Sequence, residues 1–290
     1  MQWFPAACCV VFEESRLTSQ ESETGNSGRS APRVLIVVPT LGQRIEYLRE
    51  ALSSIVEQPG CDLDLVIVAP PSAEVDQLAS QFAARLVADP RRGISGAINA
   101  GIAAARSNDE FFGWLGDDDL LRADALATAT EALLADQRVV MVYGRCDYID
   151  DGGSTFFVSG AGQWARRILA WGPNLIPQPG SLMRLSAVKE VGGLDEGLRF
   201  AMDLDLFLKL RNHGRIIAMP RTLAAFRWHD DSLTVSQERS SMDESDAVRR
   251  RQLSSSLAGK TWFLWRWPMR WALSLAKRTA RYRKAANLRR

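Results

Sequence analysis

Cysteine and long apolar runs are both scarce in this 290-residue chain, and each scarcity argues against a class of protein. The four cysteines, Cys8, Cys9, Cys61 and Cys146, have neither the density of a disulfide scaffold nor the paired spacing of a zinc site. A reduced, cytoplasmic chain is therefore expected. No apolar run approaches the roughly 20 residues a spanning helix needs, so an integral membrane protein built on such helices is not expected. The apolar segment from Trp3 to Phe12 has no basic residue ahead of it and does not read as a signal peptide. What remains is an ordinary globular composition, 46% hydrophobic and 24% charged, enough for one large domain with appendages.

Acidic residues are also missing from one place. Lys260 to Arg290 holds ten basic residues and no acidic one, whereas the preceding 259 residues hold 26 basic and 34 acidic residues, a net −8. The basic tail is a separate object from the body.

Residues 1–32 are a disordered leader: positions 13 to 32 are dominated by Ser, Glu, Gly, Thr and Asn without an apolar period. Order is expected from Arg33. Val34-Leu35-Ile36-Val37-Val38 is a β-branched run closed by Pro39, as in a strand buried on both faces. Ile45, Leu48, Leu52 and Ile55 then recur at helical spacing. Leu65 to Val68 predicts a second buried strand, Val75 to Phe82 a helix, and Arg85 to Val87 a short strand. This alternation implies βαβ units and a doubly wound α/β sheet, with a ligand at the carboxyl ends of its strands.

Gly93-Ile94-Ser95-Gly96-Ala97-Ile98-Asn99-Ala100-Gly101 opens the next helix. Its small residues suit either close helix packing or backbone approach to a phosphate. The apolar, aromatic run Phe111 to Leu115 follows as a strand and ends in Asp117, Asp118 and Asp119. Three adjacent carboxylates repel unless a cation or donors lie close. A hard divalent ion such as Mg²⁺ or Mn²⁺, held by one or two carboxylates and a substrate phosphate, resolves the conflict. The alternative is an exposed acidic turn whose Asp118 or Asp119 caps a helix over Ala123 to Leu134.

Later segments are less regular. Val139 to Val142 is a strand, Asp150 to Gly153 a hairpin turn, and Met202 to Leu210 a helix ending at Gly214. Asp203 lies in the first turn of that helix, where the dipole alone favours a carboxylate. Of the two histidines, His213 suits a helix C-terminus, and His229 follows the strand Ala225 to Trp228. An imidazole there is either structural or a metal and phosphate partner.

Taken in order, Pro39-Thr40, Gly93 to Gly101, Trp114 to Leu121, Gly192 to Glu196, Met202 to Leu206 and Phe226 to Ser232 resemble the segments of family 2 glycosyltransferases with the GT-A fold. The resemblance covers about Arg33 to Ser236. The chain looks closest to members whose acidic motif reads Trp-Leu-Asn-Ser-Asp-Asp, with Gly116 and Asp117 standing where Asn and Ser are usual.

That resemblance implies an inverting transfer of a sugar from a nucleotide-diphosphate donor to a hydroxyl of a glycan or lipid-linked acceptor, as in cell-surface polysaccharide or glycolipid synthesis. It also implies Mg²⁺ or Mn²⁺ at Asp118 and Asp119, with His229 near the metal, and Asp203 as the catalytic base. Pro39, Thr40, Arg44, Gly93, Asn99, Asp117 and Asp118 are the expected donor-binding positions. After the second strand, Val68-Ala69-Pro70-Pro71-Ser72 stands where the family usually has Val-Asp-Asp-Gly-Ser, which leaves the base open between uracil and another such as thymine. The same departure motivates an alternative, a catalytically inactive nucleotide-binding scaffold of this fold. A nucleotidyltransferase would need a glycine-rich basic loop where Pro39 to Arg44 stands, and the match is poor.

The expected organisation is a leader over 1–32, a GT-A domain over 33–236 and a helical basic and aromatic tail over 237–290. In the tail, Leu264, Trp267, Trp271 and Leu275 form one helical stripe and Arg266, Arg270, Lys277 and Arg281 another. Its four tryptophans favour an anionic membrane surface over nucleic acid, which is not an expected partner. Peripheral attachment to the inner face of the cell membrane follows. A plain docking helix against the body is the alternative.

Overall fold

The computed structural model describes residues 31–159, 162–228 and 238–253, together with residues 260, 261, 263, 264, 266–271 and 275. The central strand is β1, Arg33–Pro39, flanked by β2, Asp62–Ala69, and β4, Phe111–Trp114, both parallel to it. Beyond β2 lies β3, Arg85–Ala88. Beyond β4 the sheet turns mixed through β8, Ser181–Arg184, β6, Val139–Ile149, β9, Arg215–Arg227, and β5, Leu120–Leu121. The order β3-β2-β1-β4-β8-β6-β9-β5, with β7, Thr155–Val158, pairing β6, is a nine-stranded sheet among the described residues.

The alternation of β1 sorts two cores. Val34, Ile36 and Val38 face the side packed by α1, Ile45–Val56, α2, Ala73–Gln81, and α4, Ala125–Ala135. Leu35 and Val37 face the side packed by α3, Gly93–Ala103, and α7, Met202–Arg211. A period of two thus gives a sheet covered on both faces by helices, as the continuous apolar run implies. Helix α3 sits unusually close to β1, because a Cβ on Gly101 would come within 2.5 Å of the Val37 side chain. That glycine is a packing residue.

Two expected boundaries move. Helix α4 starts at Ala125 after Asp124 in the left-handed region, at φ 59°. Asp118 and Asp119 do not cap it; they lie on the turn between β4 and β5, and Asp119 is only 4% exposed, so the exposed acidic turn is excluded. Strands β6 and β9 run 11 and 13 residues, much longer than their apolar cores, because they pair with each other in parallel along most of their length. Further helices are α5, Gly162–Ile168, α6, Leu185–Glu190, and α8, Glu238–Gln252, and the described residues from 260 to 275 are helical as well. No described helix is long and apolar enough to cross a membrane.

Candidate active site

Strands β1 and β4 end side by side, with Val37 opposite Trp114, so Thr40 and the Gly116–Asp119 turn meet at one edge of the sheet. Thr40 Oγ1 donates to Asp117 Oδ2 at 2.5 Å and accepts from the Gly42 amide at 2.9 Å. Arg44, just before α1, places Nη1 3.5 Å from Asp118 Oδ2. Asp119 accepts from the Arg227 amide at 3.0 Å through Oδ1. A Cβ on Gly116 would lie 2.9 Å from Asp118 Oδ1 and 3.0 Å from Asp119 Oδ2. Both carboxylates therefore fold back over a residue that has no side chain to obstruct them.

This crowding is electrostatically costly. Burial first, and then the Asp118 and Asp117 charges, push the Asp119 carboxyl well above its ordinary range, against the amide and the charge of Arg227. Burial likewise raises Asp117, with Thr40 opposing. Two converging, underneutralised carboxylates are a donor set that suits Mg²⁺ or Mn²⁺ completing its shell with phosphate oxygens and water. Among the described residues no group of three or more His, Cys, Asp or Glu side chains is disposed to hold a metal. His229 lies outside the described residues.

Arg227 organises the underside of this turn. It is 1% exposed, its Nε donates to the Asp118 carbonyl at 3.0 Å, and its Nη1 donates to the Asp151 carbonyl at 3.0 Å. Nη2 pairs with Glu50 at 2.5 Å, and the guanidinium stacks 4.2 Å from the Tyr47 ring centroid. Its rigid fork of donors lets one cation tie the acidic turn, α1 and the β6–β7 hairpin together.

The second carboxyl group stands at the start of α7. Asp203 Oδ2 accepts from Asn174 Nδ2 at 2.9 Å and Oδ1 from the Leu204 amide at 2.7 Å. Burial outweighs these donors and the nearby Arg249 charge, and lifts the Asp203 carboxyl to about 6. Arg249 on α8 is itself depressed to about 10 by burial and donates to the Gly172 carbonyl. Glu244, also on α8, accepts from three successive amides, Arg199 at 2.9 Å, Phe200 at 2.5 Å and Ala201 at 2.7 Å. These lie immediately before α7, so α8 holds the loop that aims Asp203. The segment from Asn174 to Gln178 links the two carboxyl sites: Asn174 touches Asp203, while Gln178 donates to the carbonyl of Trp114, the last residue of β4, at 2.6 Å. Four residues of extended chain span at most about 14 Å.

The other expected donor-binding residues are distributed unevenly. Pro39 closes β1 beside the acidic turn, and Gly93 starts α3 with φ 72°. Asn99 spends its amide on the Leu194 carbonyl at 2.9 Å and Glu196 at 3.2 Å, and its carbonyl accepts from the Leu194 amide at 3.0 Å. It fastens α3 to the 193–196 turn.

A sequence model described as Glycosyl transferase family 2 matches residues 35–192, more than half of the chain. The chain belongs to that family. The O-antigen biosynthesis protein RfbC of Myxococcus xanthus is 29% identical over 220 residues, which are 70% of this chain and 16% of that one. An uncharacterised glycosyltransferase of Rickettsia typhi is 25% identical over 70% of this chain and 66% of its own length. This chain thus spans only a small part of RfbC. Among solved structures, the mannosyltransferase PcManGT of Pyrobaculum calidifontis, in complex with GDP-Man and Mn²⁺, superposes with a TM-score of 0.60. It is 22% identical and matches 87% of this chain and 76% of that one. TarS 1-349 of S. aureus in complex with UDP-GlcNAc gives a TM-score of 0.58 at 16% identity, covering 78% and 67%. These likenesses establish the GT-A fold.

In this family 2 chain, several supporting residues escape a reading by motif. The family match ends before Asp203, Arg227, Glu244 and Arg249. Arg227 has a weak signal, one charge between Phe226 and Trp228 in an apolar strand. Glu244 and Arg249 have none, because α8 is charge-rich throughout and lacks an apolar period.

Proposed function

We propose that this protein transfers a sugar, with inversion, from a nucleoside-diphosphate donor to a hydroxyl of a glycan or lipid-linked acceptor, in the synthesis of a cell-surface polysaccharide or glycolipid. The observation that carries this reading is the crowded carboxylate turn after β4, linked through Gln178 and Asn174 to a partly buried carboxyl near 6 at the start of α7. The relatives agree in kind: RfbC is an O-antigen biosynthesis protein, and two fold neighbours hold GDP-Man with Mn²⁺ and UDP-GlcNAc.

Asp118 and Asp119 would hold Mg²⁺ or Mn²⁺, whose charge stabilises the negative charge that builds on a departing diphosphate. His229 is a further candidate for that ion. Pro39, Thr40, Arg44, Gly93 and Asp117 lie toward the nucleotide, with Asn99 behind them. Asp203 accepts the proton of the acceptor hydroxyl while that oxygen attacks, since a hydroxyl is too weak an acid to ionise beforehand. Asn174 and the Leu204 amide fix the carboxylate for that step. Trp171 and Leu175 are exposed on either side of Asn174 and offer apolar surface to a sugar acceptor.

A single displacement with one base inverts the anomeric centre. Nuclear magnetic resonance of the product made from an α-linked donor is expected to show a β-linkage; an α-linked product would overturn the mechanism. Ala69 to Pro71, which supply no carboxylate after β2, favour a second reading as a binding scaffold. A donor that binds and never turns over with any hydroxyl acceptor would select it.

A further inference from the structure

The end of the chain presents an apolar face that the proposed transfer reaction does not use. Every described residue between 260 and 275 is helical. At about 100° per residue, Phe263, Leu264, Trp267, Trp271 and Leu275 fall within an arc of about 120°. All five are exposed, Phe263 at 69%, Trp267 at 68% and Trp271 at 71%. Met269 points about 180° away from the centre of that arc and is buried. The helix is therefore seated on the protein by the Met269 side and turns Phe263, Trp267 and Trp271 outward.

Its seat is ionic. Arg270 Nη2 reaches Asp243 and Asp246, each at 2.5 Å, and Arg266 Nε lies 3.2 Å from Asp246. Asp246 is 3% exposed and belongs to α8, the helix that also supplies Glu244 to the loop before Asp203. A helix merely docked on the body would bury its tryptophans. This one buries Met269 and most of Arg270 and leaves Trp267 and Trp271 in water, a large unfavourable exposure for a monomer.

We propose that this face seats on an anionic phospholipid surface. Charge complementarity selects the occupant: residues 260–290 hold ten basic residues and no acidic one, and among the described residues Arg266 and Arg270 are the two paired with Asp243 and Asp246. Tryptophan is the side chain best suited to the boundary between headgroups and acyl chains, and lysines and arginines near it gain from anionic headgroups. Apolar burial and electrostatic attraction then act together, which a single weak anchor cannot match. The protein would lie along the surface with α8 behind the seated helix.

Flotation of the full chain with vesicles tests this without any turnover readout, so its failure would leave the transfer reaction untouched. Vesicles of equal phosphatidylcholine and phosphatidylglycerol are expected to carry the wild-type protein, with pure phosphatidylcholine carrying about tenfold less. Raised salt weakens the binding. Replacing both Trp267→Ala and Trp271→Ala is expected to cut the vesicle-bound fraction by about tenfold or more, with an unchanged thermal midpoint because both side chains are already exposed. Three results would overturn the proposal: folded wild-type protein that stays at the bottom of the gradient, a double variant that floats equally well, or a solution dimer dispersed by the same substitutions. The last would assign the face to a second copy of the chain.

Discussion

Replacing Asp203 by Asn is expected to lower kcat by about 10²–10⁴-fold, the usual contribution of a positioned general base, while nucleotide affinity stays within about twofold. Asparagine keeps the shape and can still accept from the Leu204 amide, but cannot take a proton. The pH profile supplies a second signature. With the carboxyl near 6, log kcat/KM in the wild type should rise with unit slope below about pH 6 and level off above it. The residual activity of Asp203→Asn should lack that limb. The same shift has a stability consequence of fixed sign. Because the folded pKa is raised, the folded state holds the proton more tightly than the unfolded chain does. This group's contribution is full below the ordinary carboxylate range and is lost as pH rises through about 6. Wild-type turnover by Asp203→Asn would remove the residue from the base role.

Replacing Arg227 by Met is expected to destabilise the fold by roughly 3 kcal/mol. Glu50 is half-exposed and can return to water, so little of that cost comes from the ion pair itself. It comes from the loss of a side chain that is 1% exposed and of its hydrogen bonds to the partly buried Asp118 carbonyl and to the Asp151 carbonyl. Arg227→Lys should recover little, since a lysine cannot fork to several carbonyls at once. Equilibrium unfolding in urea measures the difference directly. A midpoint within error of wild type would show that the acidic turn is held by other contacts.

The legible parts of the molecule were those with a period or an abrupt change of character. The β-branched run of β1, the helical spacing of α1 and the three carboxylates ending an aromatic strand each follow one chemical rule, and the structure places them as those rules require. Gly93 to Gly101 offered two readings, and Gly101 against Val37 settles its own position as packing. Arg227 was not legible because its partner Glu50 is 177 residues away, and a lone charge in a strand reads as facing solvent. The face by which helix α8 touches the body was hidden for a different reason. It buries Asp246 and Arg249 through charge pairing and hydrogen bonds, so no apolar stripe marks which face touches the body. The long pairing of β6 with β9 was invisible because their registers shift at three places, which breaks any simple alternation.

The central claim is that the Asp117–Asp119 turn binds a nucleoside diphosphate through a divalent ion. Calorimetric titration of the wild-type chain and Asp119→Ala with UDP, dTDP and GDP, each with and without Mn²⁺, tests it most directly. The account predicts that one nucleotide binds, that its affinity depends on Mn²⁺, and that Asp119→Ala loses that dependence. Binding equally strong without the metal, or unchanged in Asp119→Ala, would contradict it.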